Sequence, residues 1–460
     1  MTSLEELRET RIKKLQALEK AGLVAYPAKI SRAQTVGEIL EKFLLFWITK
    51  KSVLTAGRIK TLRTHGGITF ADLEDFSGRI QLLFSKEALE KTAYQNLLDY
   101  FDIGDFIEVS GTVLKTKLGE KTIKAQRFAM AAKTLRPLPE KWHGLQDVEE
   151  RFRRRYLDLL MNPETKKKLL NRSVITKAIR DYLDGGGFLE VETPILQNLA
   201  GGAAAKPFKT HLNTLDLELY LRVAPELYLK RMLIGGWEKI YEIGKNFRNE
   251  GIDASHNPEF TMLEAYIAYE NSEYLKTFIK NLLQTVVKKI NNGNATVRYE
   301  DKEIDFSGDW KETDYSDLVK KFEDQARPDE GVTAWDIAKK TLIQPTVVSG
   351  FPKNILPLAR ATGEKADAFQ IIIGGWELIK AFSELNNPLE QKTRFEEQEK
   401  LRQTGDHEAQ HLDEDFIEAL EYGMPPAAGF GLGIDRLAAL LTDSHSLREI
   451  ILFPTMRPKI

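Results

Sequence analysis

The stretch FRNEGIDASHNPEF, from Phe247 to Phe260, carries the most information about the fold. Arg248 stands two residues before Glu250, and the chain returns to an aromatic side chain at Phe260 after a loop that contains glycine and histidine. An arginine can bind a phosphate through two parallel hydrogen bonds, while an aromatic ring stacks on a base. An isolated Arg-x-Glu is more often a surface ion pair, but the whole stretch predicts a strand hairpin that binds a nucleotide.

The composition is that of a globular protein with several domains. The 460 residues are 42% apolar and 29% charged, with a net charge of −2, and this length suits two to four domains. The sequence has no cysteine, which excludes disulfides, thiolate zinc sites and a cysteine nucleophile. The first twenty residues form a charged amphipathic pattern without the apolar centre of a signal peptide, and no apolar run is long enough to span a bilayer. We expect a cytoplasmic protein without a membrane partner.

Residues 53–135 have the strand pattern of a small β-barrel. Three runs with a period of two precede a helical stretch, and two further strands follow it. This order is that of an OB-fold, a barrel that binds single-stranded nucleic acid on one face. Together with the amphipathic helix before it, the barrel forms a first predicted domain, residues 1–135. The predicted strands are 53–59, 67–75, 79–84, 106–116 and 121–135, and the predicted helix is 86–101.

The rest of the chain divides into a predicted linker, residues 136–157, and a larger domain, residues 158–460. The linker begins with a segment that contains two prolines. It ends with the basic run RFRRRY, Arg151–Tyr156, which is either a solvated face or a contact with nucleic acid. In the larger domain, strands alternate with helices and several strand pairs have short connections. This pattern predicts an α+β fold in which helices flank an antiparallel sheet.

Three blocks of the larger domain resemble, in order, the three motifs of the class II aminoacyl-tRNA synthetases. GFLEVETPIL, with Pro194, resembles motif 1, the stretch from Phe247 to Phe260 resembles motif 2, and GFGLGIDRLAALL, with Arg436, resembles motif 3. The surrounding sequence resembles the lysyl-tRNA synthetases of the bacterial type. The resemblance implies that the barrel binds the anticodon, that the larger domain is a class II catalytic domain, and that motif 1 forms a twofold homodimer.

The resemblance also implies an ATP site. It places Arg248 on the α-phosphate, Glu250 on the adenine side, His256 near the triphosphate, Phe260 against the adenine ring and Arg436 on the γ-phosphate. Arg248 and Arg436 would therefore be the catalytic residues, and Mg²⁺ would accompany ATP. In-line displacement at phosphorus needs positioning and charge neutralisation more than a general base, so no catalytic dyad is expected.

The lysine-binding residues implied by the resemblance are Gly202, Glu226, Glu264, Tyr266, Phe382 and Glu384. The loop around Gly202 would close over lysine, Glu226 would pair with its α-amino group, and Glu384 would receive its ε-ammonium. Glu264 and Tyr266 are two residues apart, as are Phe382 and Glu384, so each pair faces one side of a strand. A buried cationic substrate requires such acceptors because an unpaired buried charge is costly.

Four positions of the barrel match the residues that read the central uridine of the anticodon in the family. They are Arg63, Phe70, Gln81 and Glu120. An aromatic ring on a strand can stack on a splayed base, and glutamine and arginine can read its edge. The alternative for Phe70 is an ordinary position in the barrel core.

Two departures from the family concern the metal and the substrate. Members commonly carry two metal-binding glutamates seven residues apart, but here Gln370 stands at the first position and Glu377 at the second. An amide oxygen ligates Mg²⁺ more weakly than a carboxylate, which leaves Glu377 as the predicted metal ligand. Many members have asparagine where Lys380 stands. This lysine can occupy part of the pocket, pair with Glu384, or bind a phosphate or carboxylate.

The leading interpretation is an enzyme that ligates L-lysine to tRNA(Lys) through lysyl-adenylate, with release of pyrophosphate and AMP. Asparaginyl- and aspartyl-type synthetases share the barrel and the motifs. Glu264, Tyr266 and Glu384 argue against them, and Lys380 argues for them. A related enzyme that lysylates a translation factor lacks the barrel. The alternative from another class is a non-catalytic nucleotide- or tRNA-binding paralogue, which has no need of the full set of triphosphate-binding residues.

Overall fold

A computed structural model describes residues 3–139, 145, 147–327, 332–405 and 408–459. The chain divides into two compact units, Met1–Gly144 and Leu145–Ile460. The division falls inside the span predicted as a linker, of which residues 140–144 and 146 lie outside the described residues.

Within its described residues, 3–139, the first unit contains three helices followed by a closed five-stranded barrel with one further helix. The strands follow the order β1-β2-β3-β5-β4, and β4 closes the barrel against β1. The pairing of β3 with β5 is parallel and the others are antiparallel, so the predicted OB-fold is confirmed. Its elements are α1 Leu4–Lys20, α2 Val36–Glu41, α3 Phe43–Thr49, β1 Val53–His65, β2 Ile68–Glu74, β3 Arg79–Ser85, α4 Lys91–Tyr100, β4 Phe106–Lys115 and β5 Lys121–Ala132.

The barrel core follows from the period of two in its strands. On β2, Ala71 and Leu73 are fully buried, whereas Phe70 and Asp72, which alternate with them, are partly exposed. Successive side chains of a strand point to opposite faces, so the sequence pattern alone separates the barrel interior from its outer surface.

Among the described residues, no helix combines the length and the apolar content that a membrane span requires.

The described part of the second unit forms an eight-stranded sheet with helices on both faces and three small sheets beside it. Its helices are α5 Val148–Arg153, α6 Arg155–Met161, α7 Pro163–Gly185, α8 Glu226–Ile234, α9 Ser272–Ile290, α10 Tyr315–Phe322, α11 Ala334–Thr341, α12 Pro388–Gln403, α13 Glu414–Glu421, α14 Ile434–Leu441 and α15 Leu447–Ile450. Its strands are β6 Leu189–Glu190, β7 Leu196–Gln197, β8 Lys209–Leu212, β9 Leu217–Leu221, β10 Lys239–Phe247, β11 Glu259–Ala268, β12 Thr296–Tyr299, β13 Lys302–Asp305, β14 Lys311–Asp314, β15 Thr346–Ser349, β16 Ala361–Thr362, β17 Lys365–Ala366, β18 Ala368–Ile373, β19 Trp376–Ser383 and β20 Ala427–Gly433.

The large sheet is mixed, which refines the prediction of an antiparallel sheet. Its order is β14-β15-β18-β19-β20-β11-β10-β6. All pairings from β15 to β10 are antiparallel, but β14 pairs with β15 and β6 with β10 in parallel. Parallel neighbouring strands need long crossover connections. The prediction rested on short connections, which join antiparallel strands, so it could identify only the central strands of the sheet.

Alternation along the central strands directs polar side chains to one face of the sheet. On β11, Leu263, Ala265 and Ile267 pack into the core that contains α7, α9 and α14. Glu264 and Tyr266 stand between them and face the opposite side, where Tyr266 joins a second core with α8 and α13. On β19, Ile379 and Ala381 belong to the first core in the same way, so Lys380 and Phe382 share the face of Glu264.

The basic run RFRRRY spans the end of α5 and the start of α6, within the span predicted as a linker, and each of its arginines pairs with an acidic side chain. Arg151 and Arg155 bind Asp158 at 2.9 and 2.8 Å, and Arg153 and Arg154 pair with acids four residues earlier. Arg155 is 1% exposed and donates to the backbone carbonyls of Arg448, Ile451 and Leu452. Arg155 therefore binds the backbone of the segment 448–452, and the interpretation of the run as a solvated face is wrong for this residue.

We expect Arg155→Met to lower the free energy of unfolding of the second unit by about 3 kcal/mol, because removing one member of a buried ion pair also leaves the carbonyl groups without their donor. Arg154→Met is the matched control, since the Arg154 side chain is 55% exposed and exposed ion pairs contribute about 0–1 kcal/mol. Urea unfolding followed by tryptophan fluorescence measures both variants. Equal destabilisation by the two substitutions would contradict the prediction.

Candidate active site

A cavity of about 560 Å³ lies in the second unit, over strands β11, β19 and β20. Every residue that the sequence analysis assigned to ATP or lysine lines it, with the exception of Glu384. Glu384 is 2% exposed, and its carboxylate packs against Gly429, which lines the cavity. The predicted residues that line the cavity are Gly202, Glu226, Arg248, Glu250, His256, Phe260, Glu264, Tyr266, Glu377, Phe382 and Arg436.

The strand register arranges the cavity into two ends. Tyr266 of β11 and Phe382 of β19 are opposite the same residue of β20, Gly429. Glu264 and Lys380 are likewise opposite Gly431. Phe260 lies at the start of β11, several residues away along the strand. Because a strand advances about 3.3 Å per residue, the motif 2 residues and the carboxylate-rich residues occupy opposite ends of one elongated cavity.

The motif 2 stretch forms the predicted hairpin. Strands β10 and β11 pair from Lys239 with Ile267 to Phe247 with Glu259, and the Arg248 amide donates to the Pro258 carbonyl at 2.9 Å beyond the last pair. The Arg248 guanidinium lies 5.1 Å from the centre of the Phe260 ring. Its buried Nε has no hydrogen-bond partner among the described residues, so it retains a donor for a ligand.

Arg436 stands close to this hairpin and adds a second cation. It donates to the Glu377 carbonyl at 3.0 Å, and another of its nitrogens lies 3.3 Å from His256 Nε2. Burial lowers the pKa of Arg248, and the positive charge of Arg436 lowers it further, against the opposing charge of Glu250. Two neighbouring guanidinium groups with an unused donor form a site for a polyanion such as a triphosphate.

The motif 3 glycines make room for neighbouring side chains. A Cβ atom on Gly429 would overlap the Glu384 carboxylate and the Tyr266 ring, and one on Gly431 would overlap the Met262 side chain. The missing side chains on β20 leave room for the side chains that pack over it.

Gly202 has a different requirement for glycine. Its φ of +87° lies in the left-handed region, and a Cβ atom would come within 3.0 Å of Glu226 Cβ and 3.1 Å of Ala224 Cβ. Glycine adopts this conformation without steric penalty. The loop around Gly202 can therefore lie directly against the start of α8, beside Glu226.

A buried cluster of Glu226, Glu264 and Glu384 with the cation Lys230 lies at the other end of the cavity, where Glu226 and Glu264 line it. Lys230 is fully buried, and its Nζ lies 2.8 Å from the Glu226 carboxylate and 2.5 Å from the Glu384 carboxylate. Lys230 is not among the residues predicted from the sequence. A signal was present, since Glu226 and Lys230 are four residues apart and so share one face of α8.

The cluster contains more carboxylates than cations. Tyr266 donates to Glu264 at 2.9 Å. Burial raises the pKa of Glu264 to about 8, and the charge of Glu226 adds to this effect. Burial likewise raises the pKa of Glu384, although Lys230 opposes the shift. The raised pKa values favour the protonated carboxyl groups, and a cationic ligand would favour their ionised form.

The residues near Glu377 do not form a complete metal site. The Glu377 carboxylate would need further oxygen ligands, because Mg²⁺ prefers six. Gln370 offers one buried amide oxygen that has no hydrogen-bond partner among the described residues, but it lies directly across the strands from Lys380. No group of three acidic, histidine or cysteine side chains suited to a metal occurs in the described part of the chain. The site therefore does not fit a protein-held divalent ion.

In the first unit, Arg63, Phe70 and Gln81 face outward from adjacent barrel strands. Arg63 pairs with Phe70, and Gln81 pairs with Asp72, two residues beyond Phe70 on the same face. Glu120 is exposed in the turn before β5, next to Thr122, whose hydroxyl donates to the Gln81 side chain at 2.9 Å. Phe70 is partly exposed and so lies outside the barrel core, against the alternative interpretation of this residue.

Comparisons with known proteins match both units. Residues 147–457 match the family model of tRNA synthetases class II (D, K and N), and residues 53–130 match that of the OB-fold nucleic acid binding domain. The chain is 46% identical to the lysine–tRNA ligase of Carboxydothermus hydrogenoformans, covering 99% of each chain. It is 44% identical to that of Syntrophomonas wolfei, over 99% of this chain and 98% of the relative, and 43% identical to that of Listeria innocua, over 98% of each.

Proposed function

The chain belongs to the class II tRNA synthetases, and within them to the lysine–tRNA ligases, and we propose that it activates L-lysine as lysyl-adenylate and transfers it to tRNA(Lys). ATP is consumed, and pyrophosphate and AMP are released. The main support is the presence, in one cavity, of a two-arginine phosphate site and a pocket with an excess of buried carboxylates. A non-catalytic paralogue would need only one of the two.

The ATP end supplies positioning and positive charge. The adenine ring stacks on Phe260, with Glu250 on its other edge, Arg248 binds the α-phosphate, and Arg436 and His256 bind the outer phosphates. The lysine carboxylate attacks the α-phosphorus, the bond to the β-phosphate breaks, and pyrophosphate leaves. Arg248 neutralises the charge that develops on the α-phosphate oxygens in the transition state. Mg²⁺ enters with ATP as part of the substrate.

The carboxylate end selects lysine by charge. Lys230 neutralises one of the three acids, and the other two carboxyl groups supply the negative charges for the two ammonium groups of L-lysine when they lose their protons. Glu226 receives the α-amino group, and Glu384 receives the ε-ammonium beside Glu264 and Tyr266. The apolar stem of lysine packs on Phe382. An aspartate side chain would instead add a negative charge to a pocket that already has an excess, which disfavours the aspartyl-type interpretation.

The direct test is ATP–pyrophosphate exchange with each of the twenty amino acids. Only L-lysine should support exchange, and it should do so without tRNA. If no amino acid supports exchange, the enzyme proposal is wrong. If asparagine or aspartate replaces lysine, the assigned specificity is wrong and the adenylate chemistry stands.

Lysine binding should release about one proton at pH 7, because the bound ammonium lowers the raised carboxylate pKa values of the pocket. The affinity for lysine should therefore increase as the pH rises from 6 toward 8, by up to about tenfold per pH unit for each proton released. Calorimetry in buffers of different ionisation enthalpy measures the release. Binding without proton release at pH 7 would show that the empty pocket does not hold the proton.

For tRNA, the outer face of the barrel is the proposed anticodon site, with Phe70 stacking on the central uridine. We expect Phe70→Ala to raise the KM for tRNA by about 5- to 100-fold, since stacking on an aromatic side chain contributes about 1–3 kcal/mol per base. Exchange without tRNA should be unchanged. Phe76→Ala, at an aromatic side chain that is 72% exposed in the same barrel, is the control. An unchanged KM for Phe70→Ala would exclude the stacking role.

The proposal extends to a cytoplasmic homodimer that assembles through motif 1. Leu189, Ile195 and Leu196 in this segment are between 44% and 50% exposed, and such apolar groups are suited to burial in a symmetric interface. Light scattering after gel filtration should give the mass of two chains, and the mass of one chain would contradict this assembly.

A further inference from the structure

Lys380 lines the cavity, and the proposed function assigns it no role. It follows Glu377 and precedes Phe382 on β19, so it lies between the ATP end and the lysine end. Across the sheet it lies between Gln370 of β18 and Gly431 of β20. Glycine presents no side chain, and the Met262 side chain packs over this position, so Lys380, Met262 and Glu264 line the cavity together.

The Lys380 ammonium has no hydrogen bond or ion pair with another residue in the part of the chain that the structure describes. Burial lowers its pKa, and Arg248 adds to this effect, while Glu377 and Glu226 favour the charged form from a distance. Its cross-strand neighbour Gln370 leaves its own buried oxygen unpaired. An ammonium without a partner is costly in such surroundings. A ligand that supplies the missing negative charge would remove this cost.

The position of Lys380 indicates which anion this is. Lys380 lines the same cavity as Glu226, assigned to the α-amino group of lysine, and Arg248, assigned to the α-phosphate of ATP. The α-carboxylate of lysine is attached to the carbon that carries the α-amino group, and it must reach the α-phosphorus. The anionic oxygens between these two residues are therefore those of the carboxylate and the α-phosphate.

We infer that Lys380 binds the lysine carboxylate and the α-phosphate where they become joined, and that its fixed charge replaces a divalent ion held by the protein. This inference rests on the proposed function. During the reaction a carboxylate oxygen forms the new bond to phosphorus and the bond to pyrophosphate breaks. Lys380 keeps its protons throughout and neutralises the oxygens of the joined groups.

The replacement of a metal ion agrees with the neighbouring residues. Gln370 contributes no charge where a carboxylate would attract a divalent ion, and an ammonium directly across from it repels one. An ammonium cannot share a small oxygen-lined site with Mg²⁺ without strong repulsion. The two departures from the family are therefore one coupled change. Gln370 replaces a carboxylate, and Lys380 replaces the divalent ion that this carboxylate would bind.

The first test compares two ligands by calorimetry without added metal: L-lysine, and L-lysinamide, which lacks the carboxylate. Lys380→Asn should weaken L-lysine binding by about 10- to 100-fold, the range for a hydrogen bond to a charged group, and should leave lysinamide binding unchanged. Lys177→Asn, at an exposed lysine of α7, should change neither. Equal weakening for both ligands would assign Lys380 to the structure of the pocket and overturn the inference, as would unchanged binding of both.

The second test measures ATP–pyrophosphate exchange against free Mg²⁺ in excess of ATP. The unmodified protein should reach full rate once ATP is complexed. The double variant Lys380→Asn with Gln370→Glu should require further Mg²⁺ and should bind Mn²⁺ in the absence of ATP, as measured by electron paramagnetic resonance. The same Mg²⁺ dependence in both proteins would overturn the inference. If the unmodified protein neither binds lysine nor supports exchange, the proposed function itself is wrong. If the unmodified protein is active and Lys380→Asn has the same activity and lysine affinity, only the role of Lys380 is wrong.

Discussion

Glu384→Gln should reduce kcat/KM for L-lysine in ATP–pyrophosphate exchange on the order of 10³-fold, because breaking a buried charge pair costs about 3–5 kcal/mol. Glu384 is 2% exposed and lies 2.5 Å from Lys230. Glutamine has nearly the same shape but no charge, so it cannot neutralise the ε-ammonium. It also leaves Lys230 with Glu226 as its remaining carboxylate. The KM for ATP should change by less than about twofold, since the phosphate site lies at the other end of the cavity.

The matched control is Glu273→Gln on α9, where the side chain is 71% exposed and pairs with Lys276. This variant should keep the full kcat/KM for lysine. Retention of lysine activity in Glu384→Gln would mean that another group receives the ε-ammonium. An equal loss for lysine and ATP would point to a collapsed cavity, and circular dichroism and thermal unfolding distinguish that case.

Arg248→Lys should lower kcat of the exchange reaction by about 10²- to 10³-fold, the usual cost of removing one preorganised donor to a developing oxyanion. Lysine keeps the positive charge but cannot form two parallel hydrogen bonds with a phosphate. It would also lose the planar contact of the guanidinium with the Phe260 ring, now 5.1 Å away. Steady-state exchange at saturating ATP and lysine measures the effect, and the melting temperature should remain within a few degrees.

Arg298→Lys is the control for this substitution, because Arg298 is 73% exposed in the small β12–β13 sheet and pairs with Asp301. It should leave the exchange rate unchanged. An Arg248→Lys enzyme with a rate within twofold of the unmodified protein would exclude the bidentate contact with the α-phosphate.

The sequence was most informative where local periodicity decides the structure. The alternation in β1–β5 predicted the barrel, and the two-residue spacing of Glu264 and Tyr266 predicted their common face, which the hydrogen bond between them confirms. These predictions succeed because side chains of a strand alternate regardless of what lies around it.

The predictions were weaker where the outcome depends on distant segments. The sheet is mixed because β6 and β14 join its edges in parallel after long connections. Arg155 in the basic run is buried because its partners include the carbonyls of Arg448 and Leu452 near the other end of the domain. Neither contact can be predicted from the local sequence pattern. A short strand does not specify which distant strand pairs with it, and a basic run does not specify which distant backbone approaches it.

The sequence by itself determined the strands, the motifs and the types of charge that the cavity contains. Only the tertiary structure decided which charges are neutralised inside the protein. Lys230 is fully paired because α8 brings it to Glu384, whereas Lys380 is left for a ligand because strand register places Gln370 and Gly431 beside it. The physical reason is that electrostatic energy depends on distance through space and on burial, and both are fixed only when the strands pair.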